Sequence, residues 1–150
     1  MLSRRTLIGY SLAMIPAAAF AGTAAAKTAI TVYKSPSCGC CGGWVDHLKA
    51  AGYQVRVVPT ADLTPIARKV GVPDALRSCH TATVAGYFIE GHVPVADVRK
   101  LLTNRPAARG IAVAGMPRGS PGMEMGGARD PFVTMIVPRS GAPTVFARHG

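Results

Sequence analysis

Ala29-Ile30-Thr31-Val32-Tyr33-Lys34-Ser35-Pro36-Ser37-Cys38-Gly39-Cys40-Cys41-Gly42-Gly43-Trp44-Val45-Asp46-His47-Leu48 is the stretch that decides the fold. Residues 29–33 are apolar or β-branched and predict a strand. Lys34-Ser35-Pro36-Ser37 reads as a turn, and Trp44, Val45 and Leu48 fall at helical spacing. Three cysteines therefore stand between a strand and a helix, at the helix N-terminus. The free N–H groups and the dipole of a helix start favour thiolate, which is both a nucleophile and a metal ligand. Cys38 and Cys41 have the C-x-x-C spacing of a redox pair. Cys40 is a third sulfur that such a pair does not need.

Working outward, Gly52 ends the helix and residues 53–58 predict a second strand. Residues 64–70 read as a helix, with Thr64 as cap and Pro65 in the first position. Gly71-Val72-Pro73 interrupts. Residues 81–85 and 87–90 are short strands around Gly86, a hairpin. Pro94 opens a helix to about Leu102, with Val95, Val98, Leu101 and Leu102 on one face. Residues 104–130 turn to Gly, Pro, Met and Arg without a period and read as a long loop. Residues 132–137 and 144–147 form a C-terminal hairpin around Ser140-Gly141. The expected architecture is an α/β sandwich in the order βαβ-α-ββα, which is the order of the thioredoxin and glutaredoxin fold.

The 150-residue length fits one domain. Ser3-Arg4-Arg5-Thr6-Leu7-Ile8, an apolar run to Phe20 and the small residues ending Ala24-Ala25-Ala26 follow the order of a secretory signal peptide. The paired arginines resemble a twin-arginine export signal. Residues 1–26 are thus expected to be removed, leaving 27–150 as the mature domain in the periplasm. The apolar run is short for a membrane span, so no stable insertion is expected after cleavage. The 17 Lys and Arg residues less Arg4 and Arg5 leave 15, and with 7 acidic residues the mature net charge is +8. These cations are scattered and no aromatic-interleaved basic stripe is present, which argues against nucleic acid.

The cysteine count is 4, all in the mature region. An oxidising compartment favours disulfides, yet adjacent Cys40 and Cys41 are poorly placed to bridge each other. In a thioredoxin-like topology the segment before the third strand packs against the C-x-x-C pair. A cis-proline normally occupies that segment; here it reads Arg77-Ser78-Cys79-His80-Thr81. Cys79 is therefore expected beside Cys38 and Cys41. Four converging thiols make a soft-metal site, suited to Cu(I), Zn or an iron–sulfur cluster. Structural zinc commonly uses two cysteine knuckles, and only one is present. No ferredoxin spacing occurs either. Met116, Met123 and Met125, in a glycine-rich loop, add soft thioether sulfur and favour copper.

At these residues the chain resembles the CopG-type family of periplasmic copper-binding proteins. The resemblance is carried by Val32-Tyr33-Lys34-Ser35-Pro36 with Cys38-Gly39-Cys40-Cys41, by Trp44-Val45-Asp46-His47-Leu48 and by Ser78-Cys79-His80-Thr81-Ala82. It continues through Gly86-Tyr87-x-Ile89-Glu90-Gly91-His92-Val93-Pro94 and Gly115-Met116-Pro117-x-Gly119-Ser120-Pro121-Gly122-Met123-Glu124. It implies a thioredoxin-like fold, export, and copper held by Cys38, Cys40, Cys41 and Cys79. Copper tolerance, other copper-handling proteins as partners, and redox activity are further implications.

The expected metal set is Cys38, Cys40, Cys41, Cys79, His80, Met116 and Met123. His80 is a ligand or a thiolate-stabilising neighbour. Glu90-Gly91-His92 serves a turn or a metal, His47 a helix surface or support of the cluster, and Trp44 the core or pocket wall. His149, at the terminus, has no expected role. Two rival functions stay open: a thiol–disulfide oxidoreductase using Cys38 and Cys41, and a passive module with two disulfides. Whether the protein is a copper oxidoreductase or a metal-binding protein is left open by the sequence.

Overall fold

The computed structural model describes residues 28–150. The proposed leader lies outside them. The chain runs β1 (Ala29–Lys34), α1 (Gly39–Ala50), β2 (Gln54–Pro59), α2 (Thr64–Val70), a 3-10 turn (Asp74–Leu76), β3 (His80–Val84) and β4 (Tyr87–Glu90). It continues with α3 (Val95–Asn104), β5 (Ala108–Ala112), β6 (Phe132–Pro138) and β7 (Thr144–His149). The result is a mixed α/β fold around one seven-stranded sheet, ordered β2-β1-β3-β4-β5-β6-β7. β1 and β2 are parallel through α1, and β4 and β5 are parallel through α3; the other neighbours are antiparallel.

Register explains the core. Val32, Ala82, Ile89, Ile111 and Ile136 lie side by side across five strands. A single row facing one way gives helices a continuous apolar surface. Against this face α1 packs Trp44, Val45 and Leu48, and α3 packs Val98 and Leu101. Cys41, Trp44, Val45 and Leu48 are the buried positions of α1, one stripe at helical spacing. The opposite face carries a smaller cluster, in which Ala67 of α2 and Val72 meet Phe88, Ala112 and Val137.

α1 ends as expected. Gly52 is left-handed at φ +92, and Tyr53 N–H returns to the Leu48 carbonyl at 3.1 Å. α2 starts one residue differently from the sequence reading: Thr64 is its first residue, and Asp62 Oδ1 accepts the Thr64 N–H at 2.8 Å.

Two expectations are corrected. Residues 104–130 are not all loop, because Ala108–Ala112 is β5, an inner strand between β4 and β6. Arg109 and Gly110 interrupt its apolar run, so it carries no legible alternation. Gly110 is required by packing, since a Cβ there would lie 2.2 Å from the Phe88 carbonyl oxygen. His149 is also not at a loose end. β7 carries it to Asp97 of α3, with Nε2 2.8 Å from Asp97 Oδ2, and its ring stacks on Phe132. The carboxylate also accepts the Thr134 hydroxyl at 2.6 Å, so the C-terminal hairpin is fastened to α3. Among the described residues no helix is long and apolar enough to cross a membrane.

Candidate metal centre

The β1–α1 turn sets the first three sulfurs. Cys38 is the N-cap of α1, its N–H donating to Ser35 O at 3.1 Å, and no acidic residue lies in the first helical turn. Cys40 and Cys41 therefore sit in the partial positive field of the helix start. The fourth sulfur arrives by register. β1 and β3 pair antiparallel with Lys34 opposite His80, so Cys79, one residue earlier, falls beside the turn that leads into α1.

The result is close convergence. Cys41 Sγ lies 3.4 Å from Cys79 Sγ, and Cys38 Sγ lies 3.5 Å from Cys40 Sγ. The four sulfurs all lie within 4.8 Å of one another. Cys38 and Cys41 are joined as a disulfide with Cα atoms 5.4 Å apart, while Cys40 and Cys79 are free. The arrangement is thus an oxidised pair flanked by two thiols; reduction by two electrons and two protons gives four thiols in one place. Burial and neighbouring Cys40 push the Cys79 thiol up to about 11. It stays protonated at neutral pH until a cation displaces the proton.

Cys79 also belongs to a second group, with His80 and His92. His92 is fully buried. Its Nδ1 lies 2.8 Å from the Pro121 carbonyl oxygen, which can only accept, so Nδ1 carries the hydrogen. That leaves Nε2 as the accepting nitrogen, 3.1 Å from Cys79 Sγ, whose thiol hydrogen it takes in the metal-free protein. A histidine that donates one N–H to a carbonyl while offering the other nitrogen is oriented as metal-bound histidines are. His80 is fully buried as well, with Nδ1 3.5 Å from Cys79 Sγ and its ring 4.4 Å from Trp44. Its Nε2 is buried without a hydrogen-bond partner among the described residues. The nitrogen that faces Cys79 is Nδ1, and Cys79, His80 and His92 each offer a ligand atom within 4.8 Å of the others, a donor set that fits a metal ion.

Burial, and secondarily His92, push His80 down to about 3 from 6.5. The sign follows from proton linkage: below 6.5 the unfolded chain binds a proton that the folded chain refuses. The metal-free protein should keep this contribution above pH 6.5 and lose it as pH falls toward 3. Thermal melts of metal-free wild type and His80→Gln at about pH 7 and pH 5 check it. The wild type should lose more melting temperature over that interval; equal losses would remove His80 as the cause.

The glycine-rich loop reaches the cluster through its backbone. Pro121 O accepts from His92, Ser78 Oγ donates to Gly115 O, and Gly122 lies against the first turns of α1. Glu124 Oε2 accepts the Gly122 N–H at 2.7 Å, and Glu124 Oε1 lies 2.7 Å from His47 Nε2. His47 therefore fastens the loop to α1. Met116 is 54% exposed in a groove of about 570 Å³ with Val113, Phe132 and Met135. Met123, half-buried, lines a different hollow of about 300 Å³ with Arg118 and Arg129. No cysteine lines either hollow.

Sequence reasoning did not single out His92 for the metal set. The Glu90-Gly91-His92 run leaves a turn role and a metal role equally open. The signal that points to it is the hairpin itself: Thr81 pairs with Glu90 and Gly91 N–H donates to His80 O, which carries residue 92 back beside Cys79.

These features define an α/β protein with a cysteine–histidine cluster whose atoms could hold a metal ion. Residues 76–123 match the family described as "Protein of unknown function, DUF411". A solved structure of a copper resistance protein, CopG form 2, is 43% identical, covering 83% of this chain and 99% of its own, with a TM-score of 0.79. CopG form 1 is 44% identical, covering 82% and 98%, with a TM-score of 0.78. No curated protein matches the chain. The chain belongs to the CopG-type family of copper resistance proteins.

Proposed function

We propose that this protein binds copper as Cu(I) in the periplasm, through Cys38, Cys40, Cys41 and Cys79, and serves copper homeostasis and resistance. The observation that carries this reading is the convergence of four sulfurs within 4.8 Å at a helix N-terminus. Soft thiolates favour Cu(I), and an adjacent imidazole nitrogen is a compatible ligand. His80 and His92 join the set on the Cys79 side. The relatives' description as copper resistance proteins supports copper over zinc. Residues 1–26 act as a twin-arginine-like export signal, and residues 27–150 form a thioredoxin-like metal-binding domain. Met116 and Met123 stand ready on the loop as thioethers for receiving copper from other copper-handling proteins.

A second reading has its own observation. The Cys38–Cys41 disulfide has the Cys79 sulfur 3.4 Å from Cys41, within reach for thiol–disulfide exchange. One experiment separates the two. Reduced protein is titrated with Cu(I) against a colorimetric chelator, and the same preparation is assayed for insulin reduction without metal. Tight Cu(I) binding with joint loss of several titratable thiols, and little insulin reduction, is the expected result. Rapid insulin reduction with weak Cu(I) binding would replace the copper reading by the oxidoreductase one.

A further inference from the structure

Glu90 is a fully buried carboxylate that the metal set does not use. It sits at the end of β4, opposite Thr81 of β3. His80 and Thr81 point to opposite faces of the sheet, as neighbours on a strand must. His80 meets Trp44 on the α1 face, so Thr81 and Glu90 lie on the other. From there Glu90 takes hold of the β3 entry at two points. Oε1 accepts the Ser78 backbone N–H at 2.8 Å, and Oε2 accepts the Thr81 hydroxyl at 2.6 Å. Those two donors bracket Cys79 and His80. The neighbouring backbone closes the frame: Gly91 N–H donates to His80 O and Val113 N–H to Glu90 O, each at 3.0 Å.

The balance of forces argues that this carboxylate is there for geometry. Burying it costs free energy, and burial raises its proton affinity against the pull of Thr81, Ser78 and Arg77. Arg77 offers little in return: its Nε stays 3.7 Å away and makes no hydrogen bond among the described residues. A buried negative charge near thiolates also opposes their ionisation. What a carboxylate supplies is two acceptor oxygens in fixed relation, each giving a stronger, charge-assisted hydrogen bond.

We propose that Glu90 is the positioning residue of the metal centre, clamping Ser78 and Thr81 so that Cys79 Sγ and the His80 ring stay aimed at the α1 N-terminus. This rests on the copper reading above.

The test compares Glu90→Ala, Glu90→Gln and Thr81→Val with wild type and Cys38→Ser, in Cu(I) chelator competition and in alkylation of the reduced thiols. Glutamine can accept from Ser78 and donate to Thr81, whose hydroxyl turns from donor to acceptor, so it should hold Cu(I) affinity within about threefold. Glu90→Ala should lose about tenfold to a hundredfold, the range for residues that orient metal ligands. Its Cys79 should alkylate faster relative to Cys40, while glutamine restores the wild-type ratio. Thr81→Val keeps a β-branched strand residue and removes one of the two bonds, so it should lose severalfold even if Glu90→Ala fails to fold.

Wild-type affinity and alkylation ratio in folded Glu90→Ala, wild-type behaviour in Thr81→Val, or a glutamine variant as poor as alanine would each overturn the clamp. If Cys38→Ser and wild type bind Cu(I) equally weakly, the copper reading fails. The alkylation ratio then still decides whether Glu90 positions Cys79.

Discussion

Cys79→Ser should lower Cu(I) affinity by about a hundredfold or more, beyond the loss typical of residues that only orient ligands. The change removes the one sulfur common to both ligand groups, the four-cysteine set and the Cys79–His80–His92 set. A hydroxyl oxygen is a hard ligand and a poor substitute for thiolate at Cu(I). The variant should still fold. Cys79 precedes β3 and belongs to neither apolar core cluster, and serine is close to it in size. Chelator competition on reduced protein gives the affinity, and circular dichroism checks the fold. Cys38→Ser should lose a comparable amount. Were Cys79→Ser to bind as wild type while Cys38→Ser and Cys41→Ser did not, the four-sulfur site would be wrong. A two-cysteine redox site would then describe the protein better.

What the sequence made legible is what local pattern controls. The apolar, β-branched run of residues 29–33, the turn at Pro36 and the helical spacing of Trp44, Val45 and Leu48 are local, and the structure keeps all three. Cys79 needed topology as well, because residues 41 and 79 meet only through the pairing of β1 with β3. The features missed depend on distant partners. β5 hides because Gly110, needed where Phe88 crosses it, and Arg109 break its apolar run. His149 looks terminal until Asp97 of α3 holds it. His92 stays undecided between a turn and a metal role until the hairpin closes and Pro121 fixes its ring. The methionines drew attention to the loop, yet its contacts with the cluster come from Pro121 and Gly122.

Gly122→Ala should lift that loop from the cluster. Gly122 has φ +86, and a Cβ there would lie 2.5 Å from Cys40 O and 2.6 Å from Trp44 N. Both are backbone atoms in the first turns of α1, which the apolar core holds in place, so the loop must move instead. The left-handed conformation alone costs a side chain about 1–2 kcal/mol. Relieving the clash then breaks the His92–Pro121 hydrogen bond, worth about 1 kcal/mol, and the exposed His47–Glu124 pair, worth about 0.5 kcal/mol. A total near 3 kcal/mol corresponds to a fall in melting temperature of roughly 10 °C for a domain of this size. Gly126→Ala separates strain from contact, because Gly126 is also left-handed, at φ +73, but has nothing within 4 Å of an added Cβ. It should lose only the conformational part. The fluorescence of Trp44, the single tryptophan, should change in Gly122→Ala and not in Gly126→Ala, since Trp44 N sits at the point of collision. Equal melting temperatures and spectra in the two variants would mean that the loop does not bear on α1. In the expected case His92 loses the carbonyl that fixes its Nδ1 hydrogen, and Cu(I) affinity falls with the melting temperature although no ligand has been changed.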